Sequence, residues 1–164
     1  MINLNKIKFI GCGLIRPECV IVDPDGVLHI SDFRGGITRI FRNRKSKITF
    51  PNNKFRIKPN GLTIIKKNTW LVTHLDEENG GVYKLSFDGS IDPFLLNIEN
   101  RPLPPTNYVH FDYLGRIWIT VSTRKIPRIN SHNSKCNDGF IILVENGNAK
   151  IVADNLCFTN ECYF

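Results

Sequence analysis

Short runs of β-branched and aromatic residues, broken by turn residues, fill most of the chain, and no segment keeps a sustained helical period. Three of these stretches can be laid over one another. Glu18 to Asp32 reads ECVIVDPDGVLHISD, Asn60 to His74 reads NGLTIIKKNTWLVTH, and Asn107 to Val121 reads NYVHFDYLGRIWITV. Each begins at a polar residue and runs on as a strand. Each then meets Gly26, Asn68 or Gly115 at a turn position that calls for a positive φ. A second strand follows: VLHIS, TWLVT or RIWIT. The three hairpins start 42 and 47 residues apart. A period in the forties with a hairpin in every unit is the mark of a propeller-type array.

The units continue in step. Gly-led third strands are expected at Gly36–Phe41, Gly81–Ser86 and Gly139–Val144, and closing strands at Lys47–Phe50, Asp92–Leu95 and Ala149–Ala153. Four antiparallel strands make one blade. The pattern therefore predicts an all-β fold, an incomplete propeller occupying residues 1–164 as a single region. Its blades span about 17–50, 59–95 and 105–153, and the first strand of a fourth lies at 157–164. Asn160 stands in that fourth unit where Glu18, Asn60 and Asn107 stand in the others. Lys6–Ile10 reads as one more strand, of the kind that completes the last blade of a ring.

First strands line the channel of a propeller, so the polar starts of successive blades converge on its axis. Hairpin geometry adds that each start faces the residue fourteen positions later. Glu18 then lies near Asp32, and Asn60 near His74. One carboxylate among several carboxamide oxygens is a hard-oxygen set, suited to one divalent cation: Ca²⁺ above all, with Mg²⁺, Mn²⁺ or Zn²⁺ as further possibilities. The same residues would also serve as strand-start groups that bond to backbone. The stretch Arg124 to Asp138 is a long insertion between strands, from which Arg124 or Arg128 would either reach over the pocket or stay as solvated loop side chains. His110 and Asp112 share a face of a strand, as a second metal constellation or as a turn cap.

Composition changes this picture little. The chain is 41% hydrophobic and 23% charged, ordinary values for a globular domain. Twenty-two basic residues against fifteen acidic ones give a net charge of +7, but they are scattered. The densest cluster, Arg39 to Lys47, lacks interleaved stacking aromatics, so no nucleic-acid partner is expected. No apolar run reaches the ~18 residues of a membrane span. The five cysteines form no CxxC pair and no export signal precedes them, which points to reduced thiols and a cytoplasmic protein. The absence of GxSxG, P-loop and HExxH motifs leaves Ser-hydrolase, nucleotide and zincin chemistry without support.

From residue 11 onward the sequence resembles the SMP-30/gluconolactonase/LRE-like (regucalcin-type) family. The likeness is carried by Arg16-Pro-Glu-Cys-Val20, Pro59-Asn-Gly-Leu62, Gly80-Gly-Val-Tyr83, Pro104-Pro-Thr-Asn107, Gly115-Arg-Ile-Trp-Ile-Thr-Val-Ser-Thr123 and Thr159-Asn-Glu161. Order and spacing make the set specific. The resemblance implies a six-bladed propeller of about twice this length, one divalent cation in the channel, and hydrolysis of a small sugar lactone. It implies that Glu18 and Asn160 are metal ligands and that Asn107 is a ligand or substrate contact. Asn60, His74, Asp32 and Arg124 are further pocket candidates. The remaining family ligand, an Asp that acts as general base, belongs to a later blade beyond Phe164. The chain is therefore expected to be inactive by itself, its missing blades supplied by a longer chain or, less simply, by a second copy. The alternative is a non-catalytic propeller that binds a partner, or a remnant without function.

Overall fold

A computed structural model describes residues 3–66, 68–132 and 135–164. Three four-stranded antiparallel sheets follow one another along the chain, each in simple meander order. The first holds β1 (Val20–Val22), β2 (Leu28–Asp32), β3 (Gly36–Ile40) and β4 (Ser46–Thr49). The second holds β5 (Pro59–Lys66), β6 (Thr69–His74), β7 (Val82–Ser86) and β8 (Ile91–Leu95). A two-stranded ribbon, β9 (Asn97–Ile98) and β10 (Arg101–Pro102), leads to the third. That sheet holds β11 (Thr106–Phe111), β12 (Ile117–Val121), β13 (Gly139–Glu145) and β14 (Asn148–Leu156). The fold is the all-β, incomplete propeller that the repeat predicts. Among the described residues no helix is long and apolar enough to cross a membrane.

Local chemistry explains the hairpins. Gly26, Asn68 and Gly115 take φ of +75°, +66° and +79° at the inner turns. In the first and third sheets an Asp closes the turn. Asp23 Oδ1 accepts from Val27 N at 2.9 Å, and Asp112 Oδ1 accepts from Arg116 N at 2.9 Å. The second oxygen reaches a ring nitrogen at the matching point of the next strand: Asp23 Oδ2 to His29 Nε2 at 3.0 Å, and Asp112 Oδ2 to Trp118 Nε1 at 2.8 Å. Asp112 is thus a turn cap, the plainer of the two roles read for it. Burial pushes its carboxyl up, but donors from Trp118, Arg116 and Leu114 outweigh that and hold it well below the usual range.

Strand alternation divides the core into two clusters, one at each sheet–sheet junction. Trp70 and Val72 of β6 turn toward the first sheet and pack in a cluster with Cys19, Ile37 and Leu62. Leu71, between them, turns the other way and packs with Val109, Ile119, Val121 and Phe140 of the third sheet. Every residue of β6 is therefore buried. Full burial of one such aliphatic side chain stabilises the fold by about 1.5–3 kcal/mol.

Two expected strands differ. Lys6–Ile10 is not a strand: Leu4–Lys6 form a 3₁₀ turn. The following segment lies against the outer face of the first sheet, where Gly11 abuts the Ile40 side chain. Residues 157–164 form no strand: Cys157 and Phe158 make a bend, with Phe158 at φ +47°, and the rest carry no strand pairing. An inner strand is paired by the second strand of its own blade, and none follows within these 164 residues. Asn160 is held instead by side chains of the third sheet.

The junction between the second and third sheets leaves no room at Gly80, where an added Cβ would sit 1.6 Å from the carbonyl oxygen of Pro104. Gly80→Ala is expected to cost about 3 kcal/mol and to lower the melting temperature by roughly 6–12 °C. Thermal unfolding followed by circular dichroism checks this; an unchanged midpoint would contradict the close approach.

Candidate functional site

The polar starts of the inner strands form a relay. The ladder slips at Asn60–Gly61, between the pairs Pro59–His74 and Leu62–Val72, and again at Asn107, between Thr106–Val121 and Tyr108–Thr120. Bulges of this kind re-aim a side chain and release backbone groups from the ladder. The freed carbonyls are bonded across the junction. Asn60 Nδ2 donates to the Asn107 carbonyl at 2.9 Å, and Asn107 Nδ2 donates to the Asn160 carbonyl at 2.8 Å and to Asn160 Oδ1 at 2.7 Å. Thr73 Oγ1 donates to the same Asn107 carbonyl at 3.0 Å, and Thr120 donates to that of Asn160. Asn60, Asn107 and Asn160 are thus brought together, with Asn60 and Asn107 almost fully buried. The NH₂ groups of Asn60 and Asn107 do serve the backbone, the simpler role open to them.

Their carbonyl oxygens are another matter. Asn60 Oδ1 is buried and has no hydrogen-bond donor among the described residues. Turning the carboxamide over would set this oxygen against the Asn107 carbonyl, so the bond at Nδ2 fixes its direction. A buried acceptor without a donor carries a desolvation cost of about 1–3 kcal/mol, which a cation would relieve.

The other candidates are placed as follows. Glu18 stands at the matching position of the first sheet, but its half-exposed carboxylate pairs with Arg16 Nε at 2.9 Å. Asp32 is fully buried within its own sheet. Its oxygens accept from Arg34 Nε at 2.9 Å and Thr38 Oγ1 at 2.8 Å, and both are engaged. Burial pushes the Asp32 carboxyl up, and the Arg34 and Thr38 bonds more than offset it, leaving it below the usual range. His74 accepts from Lys58 N through Nδ1 at 2.9 Å, so its proton sits on Nε2 when the ring is neutral. It borders a cavity of about 540 Å³ with Phe55, Asp76 and Tyr83, away from the asparagines. Arg124 is tied to Asp154 by two bonds, 2.7 and 3.0 Å, and lies over the Phe140 ring. That holds it on the third sheet.

Arg128 is the arginine of the insertion that reaches across. The 3₁₀ turn Arg128–Ser131 docks on the second sheet through Arg128 N to the Glu77 carbonyl at 2.9 Å and Ile129 N to Glu77 Oε2 at 3.2 Å. Its guanidinium covers the Phe158 ring. Burial and the charge of Arg16 push its pKa down while Glu77 and Glu18 pull it up. Its Nε is buried and lacks an acceptor among the described residues.

The relay threonines escape a motif search, yet the sequence carried a signal. Ser31, Thr73 and Thr120 fall at one position of the repeat, where a hydroxyl alternates into an otherwise apolar strand. Ser31 accepts from Cys19 N at 2.9 Å, as Thr73 accepts from Gly61 N at 2.8 Å. Among the described residues no group of three or more His, Cys, Asp and Glu gathers as a metal site. What gathers is oxygen: carboxamide carbonyls with lone pairs to spare, and one carboxylate on a short exposed arm. In kind, this donor set fits a hard divalent cation.

His29 and His74 are both held below the ordinary histidine value, chiefly by burial. The unfolded chain binds their protons first as pH falls, so stability is lost below about pH 6.5. Urea midpoints measured at pH 7.5 and pH 5.5 are expected to differ, the acid one being lower. Equal midpoints would mean that neither ring is buried neutral.

No family model matches the chain, and no curated protein matches it by sequence. Solved structures do match in shape. A gluconolactonase from Xanthomonas campestris is 14% identical with a TM-score of 0.60, covering 79% of this chain and 44% of its own. A calcium-binding protein, regucalcin, from Agrobacterium tumefaciens is 14% identical with a TM-score of 0.61, covering 87% and 44%. Virginiamycin B lyase from Staphylococcus aureus is 16% identical with a TM-score of 0.55, covering 81% and 39%. The chain spans about half or less of the length of these structures, and over that length it has the propeller fold of the gluconolactonase and regucalcin structures.

Proposed function

We propose that the chain forms the cation-holding half of a propeller that hydrolyses a small sugar lactone. The observation that carries this reading is the Asn60–Asn107–Asn160 relay, with a buried Asn60 oxygen left without a donor. In this reading Asn107, Asn160 and Glu18 hold one divalent cation, Ca²⁺ first, and Asn60 lends its oxygen from the neighbouring blade. Glu18 reaches it by leaving Arg16, an exposed pair of the kind that contributes at most about 1 kcal/mol. The cation, when bound, would polarise the lactone carbonyl and stabilise the oxyanion. Arg128 and Arg16 attract the oxygen-rich ring or an acidic substituent toward the channel mouth. The carboxylate that activates water is supplied by a later blade. Such blades would also cover the two open flanks, where Val20 and Val22 are exposed on one side and Val152 and Phe164 on the other.

The second reading is a non-catalytic propeller. Two observations favour it: the Glu18 carboxylate is already paired with Arg16, and the neighbours in shape include a lyase, a gluconolactonase and a calcium-binding protein. One fold thus carries several roles.

Calorimetric titration of the full chain with CaCl₂ tests the first reading. One site is expected, weakened at least tenfold in Glu18→Gln and in Asn107→Ala. Equal binding by the variants, or none by the wild type, would reject it. Gluconolactone hydrolysis in the presence of Ca²⁺ is expected only when the later blades are present. No hydrolysis by such a completed protein would favour the second reading.

A further inference from the structure

At the opposite end of the inner strands, between the first and second sheets, lies a cavity of about 820 Å³. Its walls are largely apolar, with Ile21, Val27 and Phe41 from the first sheet and Ile64 and Phe87 from the second. This size is within the range of small-molecule sites. The asparagine relay does not border it.

The polar groups in its wall differ sharply in how well they are satisfied. His29 is fully engaged: Nε2 bonds Asp23 Oδ2 at 3.0 Å, and Nδ1 accepts from Trp70 Nε1 at 2.9 Å. Asp23 spends its other oxygen on Val27 N. Asp25 and Lys66 stand at the exposed rim. Arg39 is the exception. Its side chain forms no ion pair and no hydrogen bond among the described residues, and its Nε is buried without an acceptor. Its guanidinium lies 4.0 Å above the Phe87 ring and also faces the rings of Trp70 and Phe41 at 5.8 Å. Stacking fixes the plane of the group but leaves its N–H edge without acceptors. A half-buried cation in an apolar pocket calls for an anion.

We propose that this cavity is a binding site for a small monocarboxylate with an apolar body, an aryl- or alkyl-carboxylic acid. Arg39 takes the carboxylate through its donor edge, the arrangement that suits a planar anion. The aromatic and aliphatic walls take the body. A single half-buried guanidinium, with Lys66 only at the exposed rim, matches a single negative charge better than a phosphate dianion. The site is independent of the lactone reading and stands whether or not that reading holds.

The test is titration of the full chain with 4-phenylbutyrate and with its neutral amide, followed by calorimetry and by the fluorescence of Trp70, which touches both His29 and Phe87. Saturable binding of the carboxylate is expected, about tenfold or more tighter than the amide, as for loss of one charged hydrogen-bonded contact. Arg39→Met should abolish that preference, and Arg39→Lys should keep part of it. Arg124→Met, on the third sheet, should leave it unchanged. Equal affinities for acid and amide, or no binding of either by the wild type, would overturn the proposal. That comparison needs no variant, so it decides the matter even if Arg39→Met does not fold.

Discussion

The bulge at the start of β11 releases the Asn107 carbonyl inside the protein, and the second sheet satisfies it. This one requirement organises the molecule. The donors come in pairs, a carboxamide and a threonine hydroxyl, both from the sheet before. A buried carbonyl without them would cost as much as a substantial share of a domain's net stability. The relay therefore ties the second sheet to the third at a fixed offset, and an apolar cluster fills the space between them. Gly61 and Gly80 are glycines for the same reason, since the backbones they face leave no room for a Cβ.

The second sheet carries the heaviest load. Its β6 strand sends Trp70 and Val72 to one neighbour and Leu71 to the other, so period-two alternation here divides two cores rather than core from solvent. The outer sheets each have one packed face and one open flank. Arg128 extends the same logic to the loops: an insertion of the third sheet is anchored on Glu77 of the second.

Much of this was legible in the chain. The turn residues Gly26, Asn68 and Gly115, the alternation within each strand and the polar starts sufficed to count the sheets, because local geometry fixes each of them. Proximity of Asn60 to Asn107 and of Asn107 to Asn160 followed from the repeat. The partners of charged side chains were less legible. Asp32 reads as a channel residue by register, yet Arg34, two positions on, captures it. Arg124 and Arg128 are equivalent by sequence, and a distant Asp154 decides between them. Salt-bridge choice depends on which side chains a fold brings within a few ångströms, and periodicity does not encode that. The N-terminal stretch misled because strand-like composition forms a strand only where an edge is free to pair with it.

The relay also has a direction. Each amide link runs forward along the chain, from Asn60 to the Asn107 carbonyl and from Asn107 to the Asn160 carbonyl, so Asn107 both gives and receives. Glu18 breaks the sequence, because a carboxylate can only receive. At the step where it stands, acceptor follows acceptor, and the Asn60 oxygen has nothing upstream to bond. An amide at that position would turn the row into a uniform belt of donors and acceptors with no net sign. The acid at that position instead draws a counter-charge, Arg16, to the first sheet, so this start alone is held by an ion pair rather than by the belt.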